Sequence, residues 1–152
     1  MMNVRTIRMA KADEHEAITQ CVRAAYSPYI ERIGKEPAPM LADYPSLIER
    51  RVVYVLTDET EILGVLVMMP QEQAMFVENI AIYPHYQGQG LGRTLMAFVE
   101  QHALERNLQE ISLYTNELMT ENLRFYQQLG FVETDRYLQD GYRRVFLRKK
   151  LA

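Results

Sequence analysis

The chain has 152 residues, of which 48% are hydrophobic and 24% charged, and its formal net charge is -3. These values predict one domain over residues 1–152 and exclude a general electrostatic attraction to nucleic acid or to an anionic membrane. The N-terminus lacks the apolar segment of a signal peptide, no apolar run has the length of a membrane span, and Cys21 is the only cysteine. Together these features favour a reducing, cytoplasmic location.

The first predicted elements are a strand and a helix. Apolar and polar residues alternate from Val4 to Met9, as in a strand with one buried face. Asp13, with Glu16 three residues later, has the pattern of a capping box and predicts the start of a helix. Cys21 lies on the apolar face of that helix, so we expect a buried structural thiol rather than a nucleophile.

Residues 26–40 are rich in proline and aromatic side chains, which predicts a helix end followed by an ordered loop. Asp43 can cap a short helix, which is predicted over residues 44–51. Three strands of an antiparallel meander are predicted at 52–56, 62–69 and 74–83, and Pro70 is expected to end the second of them.

The third strand of this meander is apolar on both faces between Met75 and Ile82, which predicts a position at the centre of a sheet. Glu78 interrupts the apolar pattern. A carboxylate in such a strand either has a partner, such as a nearby arginine, or has a raised pKa and serves as a base. The sequence leaves both readings of Glu78 open.

A glycine-rich loop joins this strand to a helix predicted over residues 90–106. Residues 87–93 contain three glycines at alternating positions. Amides of such a loop, together with the positive end of the following helix, bind phosphate groups. The loop lacks the Gly-Lys-Ser/Thr ending of a Walker A motif and the glycine spacing of a Rossmann fingerprint.

The strand predicted over residues 110–115 completes a right-handed crossover, so it should run parallel to the strand before the loop. The remaining elements are predicted as a helix ending at 129 and as strands at 131–138 and 142–148, which an Asp140-Gly141 turn joins. Arg143 and Arg144 belong to a basic cluster that we interpret as the solvated ends of the last strand.

Two segments resemble the GCN5-related N-acetyltransferase (GNAT) superfamily. Gln87, Gly90 and Gly92 match its Gln-x-x-Gly-x-Gly acetyl-CoA motif, and residues 121–131 resemble a second family segment that carries an Asn, a Tyr and a closing Gly-Phe. The resemblance covers nearly the whole chain. It implies the GNAT fold of the α/β (α+β) class: a mixed, mostly antiparallel sheet of about seven strands with a parallel splayed pair at the cofactor site, flanked by about four helices.

The resemblance also implies roles for individual residues. Backbone N–H groups of the strand before the loop would bind the pantetheine and polarise the acetyl carbonyl, while the loop amides would meet the pyrophosphate. The implied cofactor-binding residues are Ile80, Ala81, Ile82, Gln87, Gly88, Gln89, Gly90, Leu91, Gly92, Arg93, Asn122 and Tyr126. Tyr126 would donate its proton to the coenzyme A thiolate, and Glu78 is the candidate base, with a water chain as the family's alternative.

In the family, the acceptor site is shaped by the first helices, by the loop between them and by the last strands. The implied substrate-binding residues are Tyr26, Tyr29, Glu31 and Arg32. Tyr137 and Tyr142 stand at the opposite end of the chain and are implied to face them. The sequence does not identify the acceptor.

The resulting prediction is an acyltransferase that moves an acetyl group from acetyl-CoA to a primary amine of a small molecule or peptide, by direct attack in a ternary complex. A non-catalytic acyl-CoA-binding or sensor module on the same fold is the alternative. No metal is expected, because the three histidines show no metal-ligand spacing. The family resemblance makes a homodimer possible, and no nucleic-acid or membrane partner is expected.

Overall fold

A computed structural model describes residues 4–151 and shows the predicted mixed α/β architecture. The strands are β1 (Thr6–Met9), β2 (Val53–Thr57), β3 (Ile62–Gln71), β4 (Ala74–Ile82), β5 (Glu110–Asn116), β6 (Val132–Gln139) and β7 (Tyr142–Lys150). The helices are α1 (His15–Tyr26), α2 (Ile30–Ile33), α3 (Tyr44–Glu49), α4 (Leu91–Glu105) and α5 (Thr120–Gln128). The strands form one sheet in the order β1-β2-β3-β4-β5-β7-β6. The short helix α2 lies where the sequence predicted a loop.

The chain divides into two compact units, and the division falls within β3 and β4. The first unit contains the described residues up to Met68 together with Asn79–Phe98, and the second contains Met69–Glu78 together with the residues from Val99 onward. A single domain over residues 1–152 therefore stays a prediction, and residues 1–3, which belong to the signal-peptide argument, lie outside the described residues. Within the described part, no helix is long and apolar enough to cross a membrane.

In the first unit, β1, β2 and the start of β3 form antiparallel pairs. Thr6 lies opposite Thr57, and Val53 lies opposite Val67. All five residues of β2 are buried. The buried face of α1 is the predicted one, made of Ile18, Cys21, Val22 and Ala25. The periodicity of the sequence therefore identified this part of the core correctly.

The predicted cap of α1 is wrong. A short 3-10 turn over Ala12–Glu14 precedes the helix, so Asp13 lies within that turn and does not cap α1. Glu14 has the organising role instead: it accepts hydrogen bonds from the Lys11 backbone N–H and from the Arg8 guanidinium, each at 2.8 Å. The Arg8 hydrogen bonds and charge lower the pKa of Glu14.

Two strand predictions need correction. Pro70 does not end β3, which continues to Gln71; the β2 pairing ends opposite Val67, so the missing N–H of Pro70 faces no ladder on that side. In β4, only one face is fully buried. The other face, which carries Phe76, Glu78, Ile80 and Ile82, is half-buried, so apolar side chains are partly exposed along it.

In the second unit, β4 and β5 run parallel, as predicted. Their register begins with Ala74 opposite Glu110 and ends with Val77 opposite Leu113, although both strands continue further. β5 then pairs antiparallel with β7, and β7 with the fully exposed strand β6. Asp140 and Gly141 have φ values of 54° and 82°, which confirms the tight hairpin turn between β6 and β7.

Candidate active site

The glycine-rich loop after β4 has the backbone conformation that only glycine adopts without strain. Gly88 has φ = 82° and Gly90 has φ = 80°. A Cβ atom placed on either residue would meet no atom within 4 Å, so the space beside both backbones is open. The loop therefore offers an accessible concave run of main chain.

The loop leads directly into the N-terminus of α4. The Thr94 N–H donates to the carbonyl oxygen of Gly90 at 3.1 Å, which begins the helical hydrogen-bond series. The amides of Leu91, Gly92 and Arg93 come before this bond and have no acceptor within the helix. Gly90, the residue that precedes the helix, has no side chain that could cap them. These N–H groups and the positive helix end suit a phosphate or pyrophosphate group.

Two side-chain hydrogen bonds hold the loop. Gln87 Nε2 donates to the carbonyl oxygen of Ile82 at 3.1 Å, which ties the loop to the end of β4. Arg5 Nη2 donates to Gln89 Oε1 at 2.8 Å. Arg5 could not be identified from the sequence, because the contact joins positions 84 residues apart and no local pattern indicates it.

The end of β4 that carries Ile80, Ala81 and Ile82 lies beyond the last β4–β5 pair. The register of that pair stops at Val77, which confirms the expected splayed parallel pair. Where the ladder stops, backbone groups on that side of β4 are left without strand partners. Such groups are available to an extended ligand.

A buried set of three hydrogen-bonded side chains holds this end of β4; we call it the Asn79 network. The Tyr26 hydroxyl donates to acceptors at Asn79 Oδ1, 2.7 Å away, and at the Ile80 carbonyl oxygen, 3.0 Å away. Asn79 Nδ2 donates to the Tyr44 hydroxyl at 3.0 Å, which in turn donates to the Pro39 carbonyl oxygen at 2.7 Å. Both side-chain atoms of Asn79 are thus satisfied, and α1 and α3 are tied to β4.

Gly64 of β3 fixes how closely β3 and β4 approach. A Cβ atom on Gly64 would lie 2.7 Å from Ile82 Cδ1 and 3.1 Å from the carbonyl oxygen of Ala81. The first contact involves the flexible end of a side chain, whereas the second involves backbone. A side chain at position 64 would therefore displace β4 at the residues expected to hold the cofactor.

The four predicted acceptor-binding residues have different environments. Tyr26 is only 7% exposed, and its hydroxyl belongs to the Asn79 network. Tyr29 is half-buried and supports the Arg32 guanidinium, whose carbon lies 4.9 Å from the ring centroid. Glu31 and Arg32 are exposed. The geometry thus links Tyr26 to β4, while the other three residues have solvent-accessible groups.

In the second unit, Glu78 is half-buried on β4. None of the ion pairs found among residues 4–151 includes its carboxylate, so the arginine-paired reading of Glu78 is wrong. Its charge acts on the phenol of Tyr114. Burial raises the pKa of Tyr114, Arg144 opposes that rise, and Glu78 and Asp140 add to it.

Arg144 is the centre of a second polar group, the Arg144 cluster, which comprises Arg144, Tyr114, Tyr142 and Gln139. The interpretation of Arg144 as a solvated strand end is wrong, because the residue is only 8% exposed. Its guanidinium carbon lies 4.1 Å from the Tyr114 ring centroid and 6.0 Å from that of Tyr142, and Nη1 donates to Gln139 Oε1 at 2.6 Å. The sequence did contain a signal that Arg144 is buried. Side chains alternate between the two faces of β7, and position 144 shares its face with positions 142 and 146.

Tyr126 is buried in α5, with 5% of its surface exposed. Its ring makes edge contacts with Phe125 and Phe131, at centroid distances of 5.2 and 5.6 Å. Burial raises the pKa of the Tyr126 hydroxyl above its usual value. Asn122 lies one turn earlier on the same helix and is half-buried.

We find neither a metal site nor a reactive thiol among the described residues. Within residues 4–151, no group of three or more His, Cys, Asp or Glu side chains could hold a metal ion. Cys21 is fully buried, as predicted, and burial raises the pKa of its thiol to about 12. A thiol in this state is neutral at physiological pH and a poor nucleophile.

Sequence comparisons identify relatives of this chain. "Probable N-acetyltransferase 14" of Xenopus tropicalis is 25% identical over 65% of this chain and 49% of that protein. "Uncharacterized N-acetyltransferase YycN" of Bacillus subtilis is 30% identical over 43% of this chain and 42% of that protein. The matched region thus spans about half the length of these curated relatives or less.

Solved structures show the same fold at low sequence identity. The PaiA N-acetyltransferase of Thermoplasma acidophilum, determined in complex with coenzyme A, has a TM-score of 0.81 at 17% identity and covers 97% of this chain and 99% of that one. The ribosomal-protein-S18-alanine N-acetyltransferase of Escherichia coli has a TM-score of 0.75 at 17% identity, with coverage of 97% and 94%. These similarities support the fold that the sequence resemblance implied.

A family model decides the classification. The model described as "Acetyltransferase (GNAT) family" matches residues 17–131, which include most of α1 and the whole of β4, the glycine-rich loop and α5. The matched region contains both segments that first suggested the resemblance. The chain belongs to the acetyltransferase (GNAT) family.

Proposed function

We propose that this protein transfers an acetyl group from acetyl-CoA to a primary amine of a small molecule or peptide, by direct attack of the amine in a ternary complex. One observation carries the proposal: a loop with two left-handed glycines presents free amides at the N-terminus of α4, directly after a strand whose ladder has ended. This combination suits a ligand with a pyrophosphate at one end and an extended amide-containing arm.

The cofactor contacts follow from that loop. The amides of residues 88–93 would hold the pyrophosphate, with the exposed Arg93 side chain adding a charge-assisted contact. The Gln87 amide already donates to the Pro84 carbonyl oxygen at 3.2 Å. The backbone of Ile80, Ala81 and Ile82 would bind the pantetheine arm and polarise the acetyl carbonyl. Asn122 would contribute a further contact by analogy with the family segment. Positioning of this kind supplies several kcal/mol of barrier reduction.

Glu78 is the proposed general base. The described residues provide no cation that would hold its carboxylate, so it is available to accept a proton. In the proposed step, Glu78, directly or through a water molecule, takes a proton from the incoming ammonium group. The amine nitrogen then attacks the acetyl carbonyl carbon and forms the new C–N bond. The excess proton that the nitrogen still carries passes to solvent, from which Tyr126 regains the proton that it gives to sulfur.

Tyr126 is the proposed general acid. When the C–S bond breaks, the electron pair leaves with sulfur, and the phenol would donate its proton to this thiolate. The raised pKa keeps the hydroxyl protonated at neutral pH, but it also makes the phenol a weaker acid toward a thiolate. The transfer therefore requires direct contact with the charge that develops on sulfur. The acceptor itself would be held by residues of the first helices, Tyr29, Glu31 and Arg32, with Tyr26 supporting β4.

The decisive experiment is an acetylation assay with a panel of amines, in which free coenzyme A is detected with a thiol reagent. Cys21 does not interfere in the folded protein, because its thiol is buried. Tyr126→Phe should lower kcat by roughly ten- to a thousandfold while the KM for acetyl-CoA changes little. Tyr54→Phe is the matched control, since Tyr54 is also buried but packs on Phe98 in the first unit.

Unchanged turnover in Tyr126→Phe would remove Tyr126 from the mechanism. Coenzyme A binding without release of thiol from acetyl-CoA, with every amine tested, would favour the alternative of a non-catalytic acyl-CoA sensor. Absence of coenzyme A binding would refute both readings.

Gly90→Val tests the loop itself. The side chain would occupy the open space beside the loop amides at φ = 80°, so we expect coenzyme A binding to weaken by at least about tenfold. Gly34→Val is the control for backbone strain, because Gly34 has φ = 90° and also has open space around a Cβ atom. Calorimetry with coenzyme A measures both; equal affinity in wild type and Gly90→Val would exclude the loop as the pyrophosphate site.

A further inference from the structure

Arg144 is a buried cation whose hydrogen bonding is incomplete. The residue is 8% exposed, and Nε is a buried polar atom without a hydrogen-bond partner in the described part of the chain. A buried donor without an acceptor costs free energy, and the cost is larger when the group is charged. Such a group in a native protein needs a physical explanation.

The neighbours of Arg144 compensate its charge poorly. Gln139 accepts from Nη1 but is neutral. The carboxylate in ion-pair range belongs to Asp140, whose oxygen lies 3.6 Å from Nη1 and whose side chain is 78% exposed. A contact of that length to a solvated side chain contributes little. The charge of Arg144 is therefore not matched by a buried counter-ion within the described residues of its own unit.

The orientation of the guanidinium is nevertheless well fixed. Tyr114 and Tyr142 lie against it, and both known polar contacts are made by Nη1. The Nε side of the group is buried and left without a hydrogen bond, so a ligand would reach it only by displacing a neighbouring side chain. A carboxylate binds a guanidinium with two parallel hydrogen bonds, which requires such an edge held in a defined plane.

Glu78 and Arg144 both act on the phenol of Tyr114, with opposite signs. The last pair of the parallel ladder joins Val77 to Leu113, so Glu78 and Tyr114 directly follow that pair on neighbouring strands. The Arg144 guanidinium carbon lies 4.1 Å from the Tyr114 ring centroid. An amine that also carries an acidic group has the complementary arrangement of charges, with its ammonium toward Glu78 and its acid toward Arg144.

We propose that Arg144 recognises a carboxylate of the acceptor, so that the acceptor is a small amino acid-like molecule rather than the N-terminus of a long peptide. This inference rests on the proposed function, because it takes Glu78 as the group that meets the amine. Arg144 is then a specificity residue and has no part in the proton transfers.

The experiment compares amines in acid and amide pairs. L-amino acids with different side chains and γ-aminobutyrate are assayed for acetylation beside the corresponding carboxamides, which keep the amine and lose the negative charge. For the preferred acceptor, we expect kcat/KM to be at least tenfold higher for the acid than for the amide. Arg144→Met should lower kcat/KM for the acid at least tenfold, mainly through KM, and leave the amide within about threefold.

Two variants serve as controls. Arg143→Met removes the same charge from the neighbouring exposed position of β7 and should keep the preference for the acid. Arg144→Lys keeps the charge and loses the planar pair of donors, so it should restore the preference only in part. Circular dichroism of each variant establishes that it is folded, and Arg144→Lys provides the comparison if Arg144→Met does not fold.

Equal kcat/KM for acids and amides, or an unchanged ratio in a folded Arg144 variant, would overturn the proposal while the acetyltransferase function stands. If coenzyme A binds and no amine of the panel is acetylated, the same pairs are titrated by calorimetry into the protein loaded with coenzyme A. Tighter binding of acids than of amides, lost in the Arg144 variant, would support the proposal, and equal or absent binding of both would refute it. Failure of coenzyme A itself to bind would refute the proposed function instead.

Discussion

The Asn79 network and the Arg144 cluster are both buried polar groups, one in each compact unit, and they differ in how completely they are satisfied. In the Asn79 network, every hydroxyl and amide has a partner at 2.7 to 3.0 Å. In the Arg144 cluster, a buried charged group keeps an Nε atom without one. The first arrangement is typical of structural support, whereas the second requires an explanation, and the one we propose is a ligand.

Buried polar side chains can serve a protein in two ways, and each cluster represents one of them. A closed network specifies geometry, here the position of β4 beyond its last pair with β5. In an incomplete cluster, a polar group without a partner can gain a hydrogen bond when a ligand binds, and this gain favours binding. Stability measurements on matched variants should therefore distinguish the two groups before any acceptor is known.

The largest effect is expected for Asn79→Leu. The change removes the shared partner of Tyr26 and Tyr44, and we expect the free energy of unfolding to fall by about 2 to 3 kcal/mol. Urea denaturation measures this loss. Labelling of Cys21 by a thiol reagent gives a second reading, because the buried thiol reacts only when the first unit opens; a loss of 2 kcal/mol corresponds to labelling about 30-fold faster. A midpoint equal to that of wild type would contradict the structural role.

A smaller effect is expected for Tyr44→Phe. The variant removes the hydroxyl that donates to Pro39 and accepts from Asn79, which should cost about 1 to 2 kcal/mol of unfolding free energy. Tyr137→Phe is the control, because Tyr137 is 49% exposed and should change stability by less than about 0.5 kcal/mol. Tyr44→Phe should lower the free energy of unfolding less in the Asn79→Leu background than in wild type, since the two residues share a hydrogen bond. Full additivity would show that the pair is not coupled.

The smallest effect is expected for Arg144→Met. Replacement of an incompletely paired buried cation by an apolar side chain of similar length is often neutral or stabilising, so we expect a change within about 1 kcal/mol of wild type. Urea denaturation under the same conditions gives the comparison with Asn79→Leu. A loss of about 3 kcal/mol or more would place Arg144 with the structural residues and remove the contrast between the two clusters.

The local features of the site could be predicted from the sequence. The glycine loop, the start of α4 and the pairing direction of β5 all follow from patterns within about thirty residues of one another. The helix start at Asp43 and the hairpin turn at Asp140 have equally local causes, and both are found as expected. Such features depend on backbone propensity and on nearby hydrogen bonds.

The parts that could not be predicted depend on distant residues. Asn79 finds its partner in Tyr26, 53 positions earlier, and no local pattern specifies that contact. Arg144 looks like a solvated residue because it stands in a basic run, yet the alternation of β7 and the ring of Tyr114 bury it. The half-buried face of β4 was read as core because apolar side chains fill it, and hydrophobicity alone cannot distinguish a core from the wall of a site.

Gly64 shows how the lack of a side chain on one strand can set the position of the next. Because no methyl group stands between β3 and β4, the carbonyl oxygen of Ala81 sits where an alanine at position 64 would need to push it away by a few tenths of an ångström. Reactions that depend on positioning lose about a hundredfold in rate when the reacting groups are misplaced by about 1 Å, so a smaller loss is expected for a shift of a few tenths. A substitution on β3, which carries none of the proposed site residues, should thus shift the part of β4 that we propose to hold the acetyl group.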